Sequence, residues 1–548
     1  MLEGAPIEFA AVTDVPEGGV LFALPALLVT GLLHKSREIF SMPEGFYPLE
    51  SIFLLLALMA LARIPSLEAL RYEAAGEWGK LLGLDRIPEV RTLRQKLTQL
   101  CCEQGRAQRW SALLAKQWLE AEGPGAGVFY ADGHVRLYHG KLTALPRRYI
   151  ARERLCLRAT TDYWVNAMDG QPFFVVTCPV DPGLLNVLEH NIVPRLKADG
   201  PNQPTDGQLQ ADRLLSRFSI VFDREGYSPG FFARMKEQRI GVLTYHKYPG
   251  QDWPEQEFRT HQVSLVNGQT VRLQLAERGV RLSNDLWVRE VRKRSENGAQ
   301  SSILSTDYRS DLSRIAAAMF ARWCQENFFR YMRQHYNLDR LAEYGVQELP
   351  DTTRVINPAW RHFDSQIRKE NGLLSRQLVQ FAQSQLAQEL DPGQVEAYCF
   401  QKGQLQLAIE ERQHQIEQLK SQRKAIPKHI EIKQLPEQDR FYQLRTEKKH
   451  FLDTIKLIAY RAETALVQLA RDKMHRLDDA RSLIRQLFRT EVDLIPDQQS
   501  KTLTVRLHPL TAQVHDEVIR HLCEELTSTE IVFPGTDLRL IYQISGSS

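Results

Sequence analysis

Cysteines are few in this sequence, and none has the spacing of a metal-binding pair. The chain of 548 residues contains seven, an odd number, and no two of them form a C-x-x-C pair. They stand at positions 101, 102, 156, 178, 324, 399 and 523. Structural zinc sites and disulfide frameworks depend on paired or regularly spaced cysteines. The pattern argues against both and predicts a protein of a reducing compartment, the cytoplasm.

Apolar runs long enough to cross a membrane are also missing. The two longest candidates are LFALPALLVTGLL at 21–33, which contains Pro25, and SIFLLLALMALA at 51–62, which lies between Glu50 and Arg63. A membrane-spanning helix needs about 20 apolar residues. No basic stretch precedes the first run, as it does in a signal peptide. We therefore expect buried core helices, no export signal and no membrane partner.

The net charge of +3 is too small to indicate a partner by itself, because nucleic-acid binding depends on clustered cations. A hydrophobic content of 43% and a charged content of 25% are ordinary for a globular protein. A chain of this length exceeds a single core, so three or four domains are expected.

Three acidic residues in different local settings carry the most functional information. Asp132 lies in GVFYADGHV and Asp223 in FSIVFDREGYSPGFF, where each interrupts or ends an apolar, β-branched and aromatic run that predicts a buried strand. Glu326 lies in RIAAAMFARWCQENFFRYMRQHY, whose pattern predicts a helix. Ionised carboxylates are rarely left unpaired in buried strands, which favours a functional role for the two aspartates.

Carboxylates brought together in this way suit a magnesium site, with manganese as a substitute. Both ions prefer hard oxygen ligands, and two of them about 4 Å apart can activate an attacking oxygen and stabilise a leaving one during phosphoryl transfer. Five other acids compete for these roles: Asp162, Asp169, Asp307, Asp311 and Glu225, the last of which could assist Asp223. The histidines show no zinc-ligand spacing.

At this point the sequence resembles the DDE transposases of bacterial insertion sequences. In that family the second aspartate stands in a D-x-x-G-[YF] context, and Asp223-Arg-Glu-Gly-Tyr matches it. One large branch carries Tyr-x2-Arg-x3-Glu-x6-Lys around the glutamate. The corresponding residues here are Met319, Arg322, Glu326 and Arg333, so the tyrosine is absent and the lysine is replaced by another cation.

The resemblance implies a ribonuclease H-like α/β catalytic core in which Asp132, Asp223 and Glu326 bind metal. It implies a DNA transposase that cuts double-stranded transposon ends and joins them to target DNA, acting as a homodimer in the cytoplasm near the nucleoid. Two alternatives stay open: a ribonuclease H-like nuclease without strand transfer, and an inactive DNA-binding protein descended from a transposase.

The expected organisation has four parts. They are a helical N-terminal domain at 1–122, the catalytic domain at 127–345 with a β-rich insertion at 246–303, a helical hairpin region at 350–476, and a small α+β module at 477–548. Asn-Gly turns at 267–268 and 297–298 support hairpins in the insertion. The hairpin arms, predicted at 394–424 and 438–476, could pair two subunits, lie along DNA or be a solvated arm.

Three groups of residues are candidates for DNA contact. A possible helix-turn-helix offers Arg91, Arg94 and Lys96, although any solvated helix would look the same. The glutamate helix offers a stripe of Arg322, Arg330 and Arg333 that could neutralise phosphates. The insertion offers Trp287 with Arg292, Lys293 and Arg294. Trp287 could stack on a flipped base, with Trp253 in reserve, or could belong to the core.

Overall fold

The computed structural model describes residues 5–43, 45–122, 127–138, 140, 145, 147–150, 155–178, 181–266, 268–340, 345–383, 392–437, 440–474, 476–510 and 514–546. The chain divides into two compact units. The larger unit comprises residues 1–139, 147–345 and 444–548, and the smaller unit comprises 140–146 and 346–443. This division differs from the four-part organisation expected from the sequence.

The helices and strands of the described residues follow in chain order. The strands are β1 (Val12–Val15), β2 (Val128–Leu137), β3 (Arg147–Ile150), β4 (Leu155–Asn166), β5 (Pro172–Cys178), β6 (Phe218–Phe222), β7 (Ile240–Tyr245), β8 (Arg259–Ser264), β9 (Thr270–Arg281), β10 (Trp287–Arg294), β11 (Gln300–Ser305), β12 (Val346–Gln347), β13 (Arg354–Ile356), β14 (His429–Glu431), β15 (Gln443–Leu444), β16 (Val492–Asp497), β17 (Thr502–Leu507) and β18 (Arg539–Ile544). The α-helices are α1 (Leu24–Val29), α2 (Ser36–Ile39), α3 (Leu49–Leu61), α4 (Ala75–Lys80), α5 (Val90–Leu100), α6 (Arg106–Glu122), α7 (Leu184–Val187), α8 (Val193–Asp199), α9 (Asp206–Ala211), α10 (Pro229–Glu237), α11 (Leu312–Tyr336), α12 (Pro358–Gln383), α13 (Pro392–Lys424), α14 (Glu447–Arg471), α15 (Leu477–Arg489) and α16 (Val514–Ser528).

A ten-stranded mixed sheet forms the centre of the larger unit. Its strand order is β3-β4-β2-β6-β7-β11-β10-β9-β8, and β5 also pairs with β4. Strands β2, β4 and β5 run antiparallel, whereas β2, β6 and β7 are parallel neighbours. Every residue of β6 is buried, as expected for a central parallel strand covered on both faces. The mixed α/β sheet predicted from the sequence is confirmed.

Residues 246–303 form strands, but they do not fold into a separate domain. β11 pairs antiparallel with β7, and β10, β9 and β8 continue the same sheet beyond it. The turn at 297–298 joins β10 to β11, with Gly298 at φ 85°, where glycine carries no Cβ penalty. Asn267, of the other predicted turn, lies outside the described residues. Period-2 alternation could not reveal that the edge of β7 was available for pairing.

The N-terminal residues supply helices and one strand. α3, which includes nearly all of the apolar run at 51–62, is buried along almost its whole length, which confirms a core helix. Among the described residues, no helix is both long and apolar enough to cross a bilayer. β1 pairs with β16, so the four-stranded sheet β1-β16-β17-β18 combines the two ends of the chain. The module expected at 477–548 therefore includes a strand from the N-terminal region.

The smaller unit contains an antiparallel helical hairpin, but its arms are not the predicted pair. α13 packs along α12: Arg412 Nε donates to Gln377 at 2.8 Å, and Arg423 Nη1 donates to Asp364 at 2.6 Å. The predicted second arm at 438–476 corresponds to α14, which belongs to the larger unit. That part of the expected organisation is corrected.

α14 is a core helix whose charged residues are paired inside the protein. It packs against α3 and α6, and its Phe451 lies in an aromatic cluster with Phe53 and Trp110. Lys449 pairs with Asp453 one turn later, and both side chains are almost completely buried. Its charge content imitated that of a solvated arm, because sequence patterning cannot distinguish a buried ion pair from an exposed one.

Glu463 of α14 is the centre of a buried polar cluster that connects three helices and a helix end. Its side chain is completely buried, and its carboxylate accepts hydrogen bonds from Arg63 at 2.8 Å and from the hydroxyls of Tyr331 and Tyr336 at 2.5 Å. Burial acts to raise the pKa of Glu463, but the charges of Arg63 and Arg481 outweigh it and hold the pKa below its ordinary value. The carboxylate is therefore ionised and paired.

We expect Glu463→Gln to destabilise the protein by about 3 to 5 kcal/mol, because it leaves the partly buried Arg63 and Arg481 without a negative partner. Thermal denaturation of the purified protein measures the effect. The matched control is Glu524→Gln, since Glu524 is exposed on α16. Equal melting temperatures for both variants would mean that the cluster is energetically unimportant.

Candidate active site

Two acidic residues occupy corresponding positions on neighbouring parallel strands. Ala131 of β2 is the register partner of Phe222 of β6, so Asp132 and Asp223 come next on the two strands. Side chains alternate between the faces of a sheet. Because Tyr130 and Val221 share a buried cluster with Met319 of α11, the acids two positions later are on the face that α11 covers. Asp132 and Asp223 are partly buried.

Helix α11 is fastened to this face by buried hydrogen bonds. The amide of Gln325 donates to Asn166 Oδ1 at 2.9 Å and to the carbonyl oxygen of Tyr130 at 3.3 Å. In return, the hydroxyl of Tyr130 donates to the carbonyl oxygen of Ala318 at 2.5 Å. These contacts fix the rotation of α11 at the residue before Glu326. Polar groups buried this deeply are costly to leave unpaired, so they set the helix orientation.

Arg322 connects the second aspartate to the glutamate. Its Nη1 lies 3.1 Å from Asp223 Oδ1, and its Nη2 lies 2.8 Å from Glu326 Oε1. The arginine side chain is only 12% exposed, whereas the carboxylates are 41% and 50% exposed. The guanidinium therefore lies beneath two carboxylates that solvent or a ligand can reach. The stripe predicted from the sequence made Arg322 a phosphate contact, but here its partners are the acids.

The pKa of Asp132 is affected by the charges of Asp223 and Glu326. Burial is the main cause that raises the pKa of Asp132, to about 6, and the negative charges of Asp223 and Glu326 raise it further. The charge of Arg322 and the backbone N–H of Gly133 act in the opposite direction. The structure thus brings the three acids, far apart in sequence, into one electrostatic environment. A cation bound there would remove the mutual repulsion that opposes ionisation.

The donor chemistry fits a hard divalent cation, although the carboxylates are not gathered into one compact ligand shell. In the described part of the chain, a single group has three donor atoms within 4.8 Å of one another: Asp14, Asp493 and His508. That group lies on β1, on β16 and just after β17, and His508 is hydrogen-bonded to Asp493 at 2.9 Å. At the acidic site, a cation between Asp223 and Glu326 would compete with Arg322 for their oxygens.

The competing acids have structural partners instead. Asp162 is buried and pairs with Arg136. Asp311 caps α11 by accepting from the N–H of Arg314 at 2.6 Å. Asp307 accepts from the backbone N–H groups of residues 309 and 310 at 3.0 Å, and Asp169 accepts from the N–H of residue 171 at 2.9 Å. Glu225 is exposed.

Of the predicted cations on α11, Arg330 and Arg333 are exposed. In the N-terminal region Arg91 and Arg94 are exposed on α5, with Arg94 paired to Glu68. Lys96 is half-buried, with its Nζ 3.5 Å from the carbonyl oxygen of residue 43. Arg91, Arg330 and Arg333 are thus accessible to solvent, whereas Arg94 and Lys96 have partners in the protein. Contact of these residues with DNA stays a prediction.

Trp287, the residue predicted to stack on a flipped base, already has an aromatic neighbour. The Trp287 side chain is 46% exposed, and its ring stacks on Tyr308 with 5.4 Å between centroids. Lys293 lies over the ring of Phe320, and Arg294 pairs with Glu255 at 2.9 Å.

Arg292 requires a correction. It is almost completely buried, where it pairs with Glu290 at 2.7 Å and lies over the ring of Trp253. Its guanidinium cannot reach a DNA backbone from this position. Trp253 is buried too, which removes it as a reserve platform. In a basic run on a strand, alternate residues point to opposite faces, and the sequence alone did not show which face would be covered.

Sequence reasoning missed two residues of this site. Gln325 positions α11, and Tyr245, at the end of β7, feels the charges of Arg322, Glu326 and Asp223. A buried glutamine beside a catalytic-type glutamate gave a weak signal, since Gln is common on helix surfaces. Tyr245 could have been found only by aligning β7 with β6.

Asp132 should make stability depend on pH. Its pKa in the folded protein, about 6, lies above the ordinary value of 3.8, so the folded state retains the proton to higher pH. The contribution of protonated Asp132 to the stability of the folded protein is fully present below about pH 4, and it is lost as pH rises through 6. Above pH 6 we expect Asp132→Asn to be more stable than the wild type, with a higher melting temperature and an unfolding free energy larger by at most about 3 kcal/mol. Near pH 4 the two melting temperatures should become equal.

Melting temperatures between pH 4 and pH 8 measure this difference. Asp252→Asn is the control, because Asp252 is exposed and should show no such trend. If the Asp132→Asn difference does not change with pH, the folded protein does not perturb this carboxyl group.

Comparison with known proteins identifies the family of the chain. The model of a family described as "Transposase protein" matches residues 2–546, nearly the whole chain. A search of curated proteins finds no match.

Proposed function

The chain belongs to this transposase family, and we propose that it is a DDE transposase: it cuts double-stranded DNA at the ends of its element and joins them to target DNA. The observation that carries the proposal is the grouping of Asp132, Asp223 and Glu326 around Arg322 on one face of the sheet. Three acids close to one another are unfavourable for stability without a compensating cation, because like charges repel.

Strand topology supports a ribonuclease H-like core. In the order β5-β4-β2-β6-β7, the antiparallel strands β2, β4 and β5 are followed by β6 and β7, which run parallel to β2. In chain order β2 is the first strand of this set and β6 is the fourth. Asp132 lies on the first strand of this set and Asp223 follows the fourth, as the resemblance implies. Glu326 lies on α11, late in the domain. The strands at 246–303 then extend the core sheet instead of forming an independent insertion.

Asp132, Asp223 and Glu326 would hold magnesium or manganese, since all three offer the carboxylate oxygens that these ions prefer. The ions supply Lewis-acid stabilisation of phosphoryl charge and an activated oxygen nucleophile. The guanidinium of Arg322 pairs with Asp223 and Glu326 and offsets their mutual repulsion without a metal ion. If a metal ion took those carboxylates, Arg322 would be free to bind a phosphate through two parallel hydrogen bonds.

Exposed cations extend the site along α11. Arg330 and Arg333 stand four and seven positions after Glu326, so they lie within two helical turns of it. They would bind backbone phosphates on one side of the cut. The stacked pair of Trp287 and Tyr308 offers an aromatic surface for an unpaired base. We also propose a homodimer, with the hairpin α12–α13 as the candidate pairing or DNA-contacting element.

Cleavage should require magnesium or manganese and should be abolished in Asp223→Asn, which keeps the shape of the side chain but removes its charge. DNA binding should persist, because backbone affinity comes from lysines and arginines. The assay uses a labelled duplex that carries the terminal sequence flanking the gene, with magnesium, calcium or EDTA. Calcium should support binding with little cleavage, since its coordination is longer and looser.

Asp252→Asn, an exposed acid outside the site, is the matched control and should cut normally. Cutting by Asp223→Asn or in EDTA would refute the metal-dependent mechanism. Hydrolysis without joined products would identify a nuclease, and binding without any cleavage would identify an inactive DNA-binding descendant.

Arg333→Ala should weaken DNA binding and make the slope of log affinity against log salt shallower by about one unit, because one phosphate contact is lost. Arg333→Lys should restore part of the affinity, since the charge survives without the planar fork. Titrations at several salt concentrations measure the slope. Arg539→Ala, on β18, serves as the control, and an equal slope in both alanine variants would make Arg333 an ordinary solvated residue.

A further inference from the structure

A third polar residue continues the row that Asp132 and Asp223 begin. Val221 of β6 is the parallel register partner of Leu243 of β7. Two positions later on each strand stand Asp223 and Tyr245, which are therefore neighbours at the ends of adjacent strands. Tyr245 packs against the buried cluster that contains Val221, Leu243 and Met319. Its side chain is thus on the face that α11 covers, with the acids.

The environment of Tyr245 suits a hydrogen-bond donor that has no acceptor yet. The side chain is partly buried, and in the described part of the chain no group accepts a hydrogen bond from its hydroxyl. Burial is the main cause that raises the pKa of Tyr245 above 10, and the charges of Glu326 and Asp223 raise it as well, against Arg322. An unperturbed phenol, with a pKa of about 10, already keeps its proton at neutral pH, so the hydroxyl can donate a hydrogen bond.

We propose that Tyr245 is a substrate-binding residue of the acidic site, and that its hydroxyl donates a hydrogen bond to a non-bridging oxygen of the DNA phosphodiester that is cut. The inference rests on the proposed function, since it assumes that a phosphodiester occupies the site. A neutral donor is well suited to this position. It can bind a phosphate oxygen without pairing permanently to the carboxylates, as Arg322 does.

Tyr245 also differs from the other aromatic residues near the end of β7. Tyr248 is largely exposed and meets Tyr227 edge to face, with 5.8 Å between centroids. His246, the next residue after Tyr245, stacks on Tyr227 and approaches Glu290, with 3.5 Å between Nδ1 and Oε1. Of these aromatic residues, Tyr245 alone shares the register row and the helix-covered face with the acids.

The test is Tyr245→Phe in the full-length protein, which removes the hydroxyl and keeps the ring that packs on the cluster. On the labelled terminal duplex with magnesium, we expect the cleavage rate to fall roughly 10- to 100-fold, the loss typical of a hydrogen bond to a charged group. DNA affinity measured in calcium should stay within about twofold, because most of the binding energy comes from backbone cations. Tyr248→Phe is the matched control and should cut at the wild-type rate.

A second arm separates a phosphate contact from a purely structural role. Duplexes with an Rp or Sp phosphorothioate at the scissile phosphate replace one non-bridging oxygen by sulfur, a weaker acceptor. For one of the two stereoisomers, the wild type should cleave the phosphorothioate more slowly than the phosphate. Tyr245→Phe, which already lacks the hydrogen bond, should cleave both substrates at the same reduced rate. This comparison is made within each variant, so it does not depend on the fraction of active protein.

Two results would overturn the inference while the proposed function stands: wild-type cleavage by Tyr245→Phe when Asp223→Asn is inactive, or the same fold loss from Tyr245→Phe on the phosphate and on both phosphorothioates. Failure of the wild type to cut its own terminal sequence would refute the proposed function and this inference together.

Discussion

The placement of α11 depends on the buried carboxylate of Glu463. An ionised side chain without water must find its partners inside the protein, and here they come from the end of α3, from α11 and from α15. Tyr331 and Tyr336 fix the second half of α11 to this carboxylate. Removing the negative charge would leave partly buried arginines without this partner, so the cluster favours one arrangement of these helices over looser ones.

The first half of α11 is held by different chemistry. Gln325, near the middle of the helix, donates to the carbonyl oxygen of Tyr130, and the hydroxyl of Tyr130 donates to the carbonyl oxygen of Ala318. Apolar side chains fill the space beside these hydrogen bonds. These contacts hold the backbone of α11 at Arg322 and Glu326 in place relative to Asp132 on β2 and Asp223 at the end of β6. A site for phosphoryl chemistry needs such positioning, because small displacements of the reacting groups slow the reaction strongly.

The acidic site is a balance between repulsion and compensation. Asp132 holds its proton unusually well because burial and two nearby carboxylates disfavour its charged form. Arg322 offsets part of that cost by pairing with Asp223 and Glu326. This explains why the same arginine can look like a phosphate contact in the sequence and like an internal ion-pair partner in the fold. Both the ion pair with the acids and a contact with phosphate need a positive charge at this position, and they differ only in which anion Arg322 binds.

Much of the fold followed from local patterns. Apolar runs of four to six residues became β6 and β7, the long amphipathic segment became α11, and the run at 51–62 became the buried helix α3. Local patterns failed where the answer depended on a distant partner. α14 looked like a solvated arm because its charges are paired with residues such as Arg63 that lie hundreds of positions away.

The chain's own sequence determined which residue types stand in or next to the strands and on the helix, and therefore that Asp132, Asp223 and Glu326 were candidates for one site. Only the tertiary structure decided that Arg322 lies between two of them, that Tyr245 joins their row and that Arg292 is buried. The physical reason is that strand register and helix rotation set which side chains meet. Both are fixed by long-range pairing and by buried hydrogen bonds, which no local pattern encodes.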